Sequence, residues 1–334
     1  MFTLSERTNG QVSFMPNNPH SLPQTYIPGS LAYQSINGFG DFYYQVVEQQ
    51  QFTIWRSTYK PYADVSLRVV RNVKWLGFRL MLKKHIAHVY LGKPVGIMQG
   101  QMYFQYSPLT DVEIRLKADV TYEVVDMHVS TDLFSQLNLR SRVFDTFSEM
   151  IGHDKPVWIS DTPVWSGYSV LEGVESLLKD PAKDGAAIEI VQQVVATLIK
   201  NGGHDKKITY EQAENLYHVR EMIMSRYSEA MTLQKWAKAT QMNTTDFKYK
   251  FRQVFGITPY RYLTYERVKA AKEIMLSNPE LPLAEVARRC GFRTYNNLRR
   301  AFYPMEKTKL SVWRDMNLGM AFQILVEILL NELL

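Results

Sequence analysis

Two clusters of side chains towards the C-terminal end carry the chemistry of this chain. One is Thr245, Lys248, Tyr249 and Arg252. The other is Asn296, Arg299, Arg300 and Tyr303. Within each cluster the residues lie three and four apart, the spacing that gathers them on one face of a helix. They offer recognition rather than bond-making. Arginine presents a fork of donors that matches guanine, asparagine matches adenine, and cations neutralise phosphates.

The elements that must hold these clusters are legible around them. Leu233, Trp236, Ala237 and Thr240 trace a short helix, Gln241-Met242-Asn243 makes a turn, and a second helix runs from Thr244 to Phe255 with Phe247 and Phe251 inward. Gly256 ends it. Downstream, Leu283, Val286, Ala287 and Cys290 mark the buried face of another short helix. Gly291 breaks that helix, because glycine turns left-handed without steric cost. Thr294 then caps a helix that buries Leu298, Ala301 and Phe302. Thr258-Pro259 opens a long helix, with proline at its first position, that runs to Asn278-Pro279 and joins the two pairs. A single helix pair of this kind is weak evidence, since most are plain packing; two copies joined by one helix predict a double helix-turn-helix. Charge agrees. Met231 to Met316 holds 17 Lys and Arg against 7 Asp and Glu, a balance of +10 within a chain whose net charge is +6, which leaves −4 for the remainder. Concentrated basic charge is the footprint of a phosphate-binding surface.

These residues carry a family resemblance. Residues 231–316 resemble the DNA-binding domain of AraC-type transcription regulators: FRQVFGITPYRYL, from Phe251, is close to the family's signature after the first unit, and LAEVARRCGF, from Leu283, to that of the second. The resemblance implies base reading by Thr245, Lys248 and Tyr249 in the first unit and by Asn296, Arg299 and Arg300 in the second. Lys250, Arg252, Arg293 and Lys307 fall to phosphates. The partners so implied are double-stranded promoter DNA, RNA polymerase, a second copy of the chain and a small-molecule effector. The segment YEVVDMHV, Tyr122 to Val129, resembles the siderophore-sensing branch and would make that effector a siderophore. Two departures stand against the pattern. Where the first unit has Phe255-Gly256-Ile257-Thr258-Pro259, the second has Glu306-Lys307-Thr308-Lys309-Leu310, and Pro304 is expected to terminate the second recognition helix, leaving that unit shortened.

The expected class is α+β and multidomain. Residues 1–35, rich in Asn, Pro, Ser and Gln, read as an irregular arm. Residues 36–135 hold short β-rich runs, among them Trp75 to Leu82, Ile86 to Leu91 and Met102 to Tyr106, which predict an antiparallel barrel or sandwich; the resemblance implies a cupin-like jelly roll that binds the effector. Trp55, Trp75, Phe78, Tyr103, Phe104 and Tyr106 are candidate walls for its pocket, with ordinary core as the alternative for each. Residues 136–200 read as helical, broken around Pro156 to Pro163. Val191, Val194, Val195 and Leu198 share an apolar face, for dimerisation or for packing on the β domain. A linker and connecting helix follow at 201–230. Residues 317–334 read as an extra apolar helix.

Composition narrows the alternatives. One cysteine, Cys290, permits no internal disulfide and no thiolate metal cluster. No apolar run reaches the length of a membrane span, and the polar N-terminus lacks the apolar block of a signal peptide, so a cytoplasmic location is expected. His85 and His88 are spaced by three, which on a strand sets them on opposite faces, and a solvated KKHIAH edge is the expectation there. No ligand-spaced His/Glu cluster and no nucleophile motif is found, so neither a metal, nor a cofactor, nor an enzyme is expected. The sequence therefore predicts a sequence-specific DNA-binding transcription regulator under effector control. A cupin-type enzyme tethered to DNA and an interaction protein with a degenerate second unit stand as alternatives.

Overall fold

In a computed structural model, residues 3–6, 10–22, 25–90, 93–201 and 208–319 are described. The chain divides into two compact units, one spanning Met1–Glu214 with Gln253–Gly256 and the other Asn215–Arg252 with Ile257–Leu334.

The first unit is built on two antiparallel sheets. The smaller contains β1 (Thr3–Glu6), β2 (Gly10–Gln11), β7 (Val65–Arg71), β9 (Ile86–Tyr90), β10 (Lys93–Ile97) and β12 (Thr110–Leu116), in the order β10-β9-β12-β7-β1-β2. The larger contains β3 (Ser13–Asn17), β4 (Leu31–Ile36), β5 (Gly40–Glu48), β6 (Phe52–Pro61), β8 (Trp75–Lys83), β11 (Gln101–Ser107), β13 (Tyr122–Val129), β14 (Val157–Trp158) and β15 (Val164–Trp165). Its order is β14-β11-β8-β13-β6-β5-β4-β3, with β15 also paired to β11. Leu4, Leu67, Ile86, Val112 and Ile114 of the small sheet share one core with Phe42, Tyr44, Tyr59, Met81, Tyr103, Tyr122 and Val124 of the large one. The arrangement is a sandwich, as strands with inward-facing residues on two sheets require.

The larger sheet is buried on its other face too. There lie α1 (Thr131–Ser135), α2 (Arg142–Met150), α3 (Gly167–Lys179) and α4 (Ala186–Asn201). Phe104 of β11 meets Phe134 and Phe147, with ring centroids 5.5 and 5.7 Å away. Gly77 of β8 lies so close to β13 that a Cβ there would strike the Met127 carbonyl. The α4 face formed by Val191, Val194, Val195 and Leu198 is wholly buried, against α1, α3, β11 and β15. Of the two uses open to that face, packing within the chain is the one realised.

Two further expectations change. The arm at 1–35 is not irregular: it supplies β1 to β4, with Leu4 and Val12 in the core. Residues 25–30 are tied down by the buried amide of Gln45, whose Oε1 accepts from the Ile27 N–H (2.9 Å) and the Ser30 hydroxyl (3.2 Å) while its Nε2 donates to the Thr25 carbonyl (2.9 Å). The break near Pro156 to Pro163 contains β14 and is followed by β15, and both strands pair with β11.

The helix α5 (Tyr210–Ser225) begins with a reciprocal cap. Thr209 Oγ1 accepts from the Gln212 N–H, and Gln212 Oε1 accepts from the Thr209 N–H. The boundary between the units falls inside α5, at Glu214/Asn215, within the stretch 201–230 read from the sequence as linker and connecting helix. Residues 202–207 of that stretch, and all but the first residues of the expected C-terminal helix, lie outside the described residues.

The second unit is all helical. It holds the rest of α5, then α6 (Leu233–Ala239), α7 (Thr244–Phe255, whose last residues group with the first unit), α8 (Pro259–Ser277), α9 (Leu283–Arg289), α10 (Tyr295–Glu306) and a helical stretch at 310–319. Val268, Ala271 and Met275 of α8 pack with Val286, Ala287 and Cys290 from α9 and with Leu298, Phe302 and Leu310. Among the described residues no helix is long and apolar enough to cross a membrane.

Candidate nucleic-acid interface and ligand cleft

Each helix-turn-helix is fixed by its caps. In the first, Thr232 Oγ1 accepts from the Lys235 N–H to start α6, and Gln241 turns left-handed with φ 57°. Asn243 then caps α7. Its Oδ1 accepts from the N–H groups of Thr245 (3.0 Å) and Asp246 (2.9 Å), and its Nδ2 donates to the Asp246 carboxylate (2.7 Å). Trp236, Ala237, Phe247 and Phe251 are buried. Thr245, Lys248, Tyr249 and Arg252 all lie exposed, while Lys250 is half-buried.

The second unit repeats the plan. Gly291 sits at φ 78°, and a Cβ there would lie 2.5 Å from the Ser228 carbonyl oxygen, so glycine is required twice over. Thr294 Oγ1 accepts from the Asn297 N–H (3.2 Å) to open α10. Asn296, Arg299, Arg300, Tyr303 and Arg293 are exposed, as is Lys307. Pro304 lies inside α10 and does not end it. Pro304 removes only one backbone donor in the last turn, and the helix closes two residues later. The closing residue is Lys307, left-handed at φ 55°, whose N–H donates to the Tyr303 carbonyl (2.9 Å). Gly256 performs the same turn after α7 at φ 71°. Both recognition helices contain 12 residues, so the second unit is not shortened.

Several polar contacts were not announced by the sequence. Arg267 of α8 donates from Nε to the Tyr227 carbonyl (2.7 Å) and from Nη2 to that of Glu229 (3.0 Å). Lys272 pairs with Glu306 at 2.8 Å and sits 5.2 Å above the Trp313 ring. On α9, the Glu285 carboxylate accepts from Arg288 twice at 2.7 Å and from Arg289 at 2.9 Å. These guanidinium hydrogen bonds hold its carboxyl down at about 2. Burial pushes the Cys290 thiol up to about 11, so it is a core residue rather than a reactive one.

In the sandwich, the candidate aromatics divide between two faces. Successive residues of a strand alternate. Trp75 and Tyr103 line a cleft between the sheets, together with Arg79, Gln105, Val112 and Asp126. Trp55 stands beside Trp75, with ring centroids 5.5 Å apart. Phe78 and Phe104 lie one step out of phase with Arg79, Trp75 and Tyr103, and Tyr106 one step out of phase with Gln105. They belong to the opposite face of the large sheet, under the helices, and do not wall the cleft. The cleft also holds an ion pair unnoticed in the sequence. Arg79 donates from Nε and Nη2 to the two carboxylate oxygens of Asp126, at 2.7 and 2.9 Å, and with that partner the guanidinium is held well above its usual range against the cost of burial. The signal was available, since Arg79 keeps pace with Trp75 at steps of two along β8, and Asp126 sits mid-strand in β13.

His88 is not on a solvated edge. It is 3% exposed, and burial, with Arg79 next, pushes its imidazole down to about 3. His85 stacks on Tyr210 at 4.0 Å. Among the described residues no group of three His, Cys, Asp or Glu side chains could hold a metal ion.

A family model described as a helix-turn-helix domain matches residues 236–316. The chain is 24% identical over 138 residues to the probable transcriptional regulator LumQ of Photobacterium leiognathi. The match covers 40% of this chain and only 54% of that relative's length. Among solved structures, the DNA-binding domain of AdpA in complex with a target DNA is similar at 25% identity, over 30% of this chain and 91% of that one, with a TM-score of 0.29. ToxT from Vibrio cholerae, bound to an unsaturated fatty acid, is similar at 10% identity over 80% of this chain and 96% of that one, with a TM-score of 0.31. Residues 236–316 thus carry a helix-turn-helix domain.

Proposed function

We propose that this chain is a sequence-specific transcription regulator that reads two successive major grooves and is controlled by a small molecule bound in its β-sandwich. One observation carries the reading: two capped helices of equal length, α7 and α10, each present an exposed hydrogen-bonding face. Thr245, Lys248 and Tyr249 read bases from α7, and Asn296, Arg299 and Arg300 read them from α10. Lys250, Arg252, Arg293 and Lys307 bind phosphates and set register. Each good bidentate contact discriminates against the wrong base by roughly 1–3 kcal/mol. Half-sites about one helical turn apart are expected. The jelly-roll reading of the sandwich, contact with RNA polymerase and action as a homodimer belong to the same proposal. A dimer would have to use a surface other than the Val191–Leu198 face, which is already covered.

The test is selection of genomic DNA fragments by the purified protein, repeated with Lys248→Ala and with Arg299→Ala/Arg300→Ala. A motif with two half-sites, each weakened by one of the variants, is the expected result. A motif with one half-site, indifferent to Arg299 and Arg300, would mean that the second unit does not read DNA. No motif at all would sink the regulator reading.

A further inference from the structure

Counted from its cap, each recognition helix holds a long side chain at the same place on its outer face: Arg252, nine residues past Asn243, and Tyr303, nine past Thr294. At about 100° per residue, Tyr303 falls nearly in line with Asn296, two turns earlier, and between Arg299 and Arg300. It therefore stands at the middle of the stripe that α10 presents. An arginine at this place can swing its charge to a phosphate. A tyrosine has no charge to neutralise one, and its rigid ring looks where the helix aims it. Tyr303 is 56% exposed, although Phe302 beside it is fully buried. Its carbonyl accepts from the Lys307 N–H, but among the described residues its ring has no hydrogen-bonding or aromatic partner.

An exposed aromatic ring gains from an apolar partner once its helix lies in the groove. In the major groove thymine alone of the four bases offers one, its C5 methyl. The polar side chains of α10 match adenine and guanine, and none of them selects thymine. Depth agrees. The N-terminal residues of a recognition helix meet the base edges, so the short Asn296 suffices there and a longer side chain is needed further along, where Tyr303 stands. We propose that Tyr303 is a specificity-determining residue, its ring packing on the C5 methyl of a thymine in the half-site read by α10. Asn296 and Tyr303 are about 10 Å apart along the helix, roughly three base-pair steps, which sets the thymine about that far from the adenine matched by Asn296. The inference rests on the DNA reading proposed above and adds a residue and a base to it.

The experiment uses the full chain and duplexes carrying the motif it selects. The α10 half-site is the half weakened by Arg299→Ala/Arg300→Ala. Each of its thymidines is replaced in turn by deoxyuridine, which lacks that methyl and nothing else. One replacement is expected to weaken wild-type binding by about fourfold, the worth of one buried methyl. Tyr303→Ala is expected to bind the thymidine duplex more weakly and to treat the two duplexes alike. Tyr303→Phe keeps the ring and is expected to keep the preference for thymidine. The wild-type measurement needs no variant to fold. A half-site without thymine, or one indifferent to every replacement, overturns the proposal and leaves the two-helix reading standing. A preference for thymidine that survives Tyr303→Ala assigns the methyl to another residue and overturns it too. Tyr303→Phe as weak as Tyr303→Ala on every sequence would make the hydroxyl a phosphate contact, and the thymine assignment falls. If no motif is selected at all, the regulator reading and this inference fall together.

Discussion

At the scale of single residues, position on a recognition helix separates two kinds of cation. Arg299 is exposed mid-helix on the outer face of α10, where its fork can meet a base edge, while Lys250 is half-buried on the flank of α7. Arg299→Ala should cost roughly 1–3 kcal/mol on the preferred site and relax preference at one base, whereas Lys250→Ala should weaken all sequences alike and reduce the salt slope by about 1. Binding titrations on matched and scrambled sites at several salt concentrations separate the two. Equal losses on both kinds of DNA for Arg299→Ala would remove it from base reading. Glu285 bears on the same surface. Its carboxyl, held at about 2, stays ionised at any working pH and offsets one of the two positive charges of Arg288 and Arg289. The first helix of such a motif crosses the DNA backbone. Glu285→Gln should therefore tighten binding to any DNA and steepen its salt dependence by about 1 in slope. An unchanged slope would place α9 away from the phosphates.

At the scale of elements, the two helix-turn-helix units differ most where each recognition helix stops. Gly256 takes the left-handed turn freely, while Lys307 takes it at φ 55° with a side chain in the way. A left-handed non-glycine residue costs roughly 1–2 kcal/mol. Lys307→Gly should therefore raise the stability of the second unit by about 1 kcal/mol, read by denaturant titration, while giving up the phosphate contact proposed for Lys307. A loss of stability would mean that the lysine side chain does more for the fold than the strain costs. These helices were legible because their apolar residues recur at three and four, with Asn243, Thr258 and Thr294 at the caps. Pro304 misled because proline is most damaging in a helix interior, and here it falls in the last turn. The strands of the sandwich were legible as strands, but not their faces. Period-two alternation says that Tyr103 and Phe104 part company, yet both faces of the large sheet are buried, so hydrophobicity cannot say which one looks into the cleft. The strand β3, Ser13–Asn17, was invisible because its pairing with β4 comes from the neighbour and not from its own polar, proline-containing sequence.

At the scale of the whole first unit, the interior polar groups tie stability to pH. His88 is enclosed between sheets and faces Arg79 of β8, Asp126 of β13 and Tyr103 of β11. Its folded value of about 3 lies far below the ordinary value of 6.5. Between those two values the unfolded chain takes up a proton that the folded chain refuses. Stability from this group is therefore complete above pH 6.5 and is lost progressively as the pH falls towards 3. Each tenfold difference in proton affinity between the folded and unfolded chains is worth about 1.4 kcal/mol, so the loss amounts to a few kcal/mol, a large part of a typical domain's total. His88→Leu removes both the titration and the buried Nδ1, which has no hydrogen-bond partner, so the variant should be at least as stable as wild type near neutral pH and clearly more stable in mild acid, roughly two pH units below the ordinary histidine value. Calorimetry of the full chain across that range is the measurement. Parallel decline of wild type and His88→Leu would show that the acid sensitivity lies elsewhere and that His88 reaches solvent readily enough to be protonated in the folded protein.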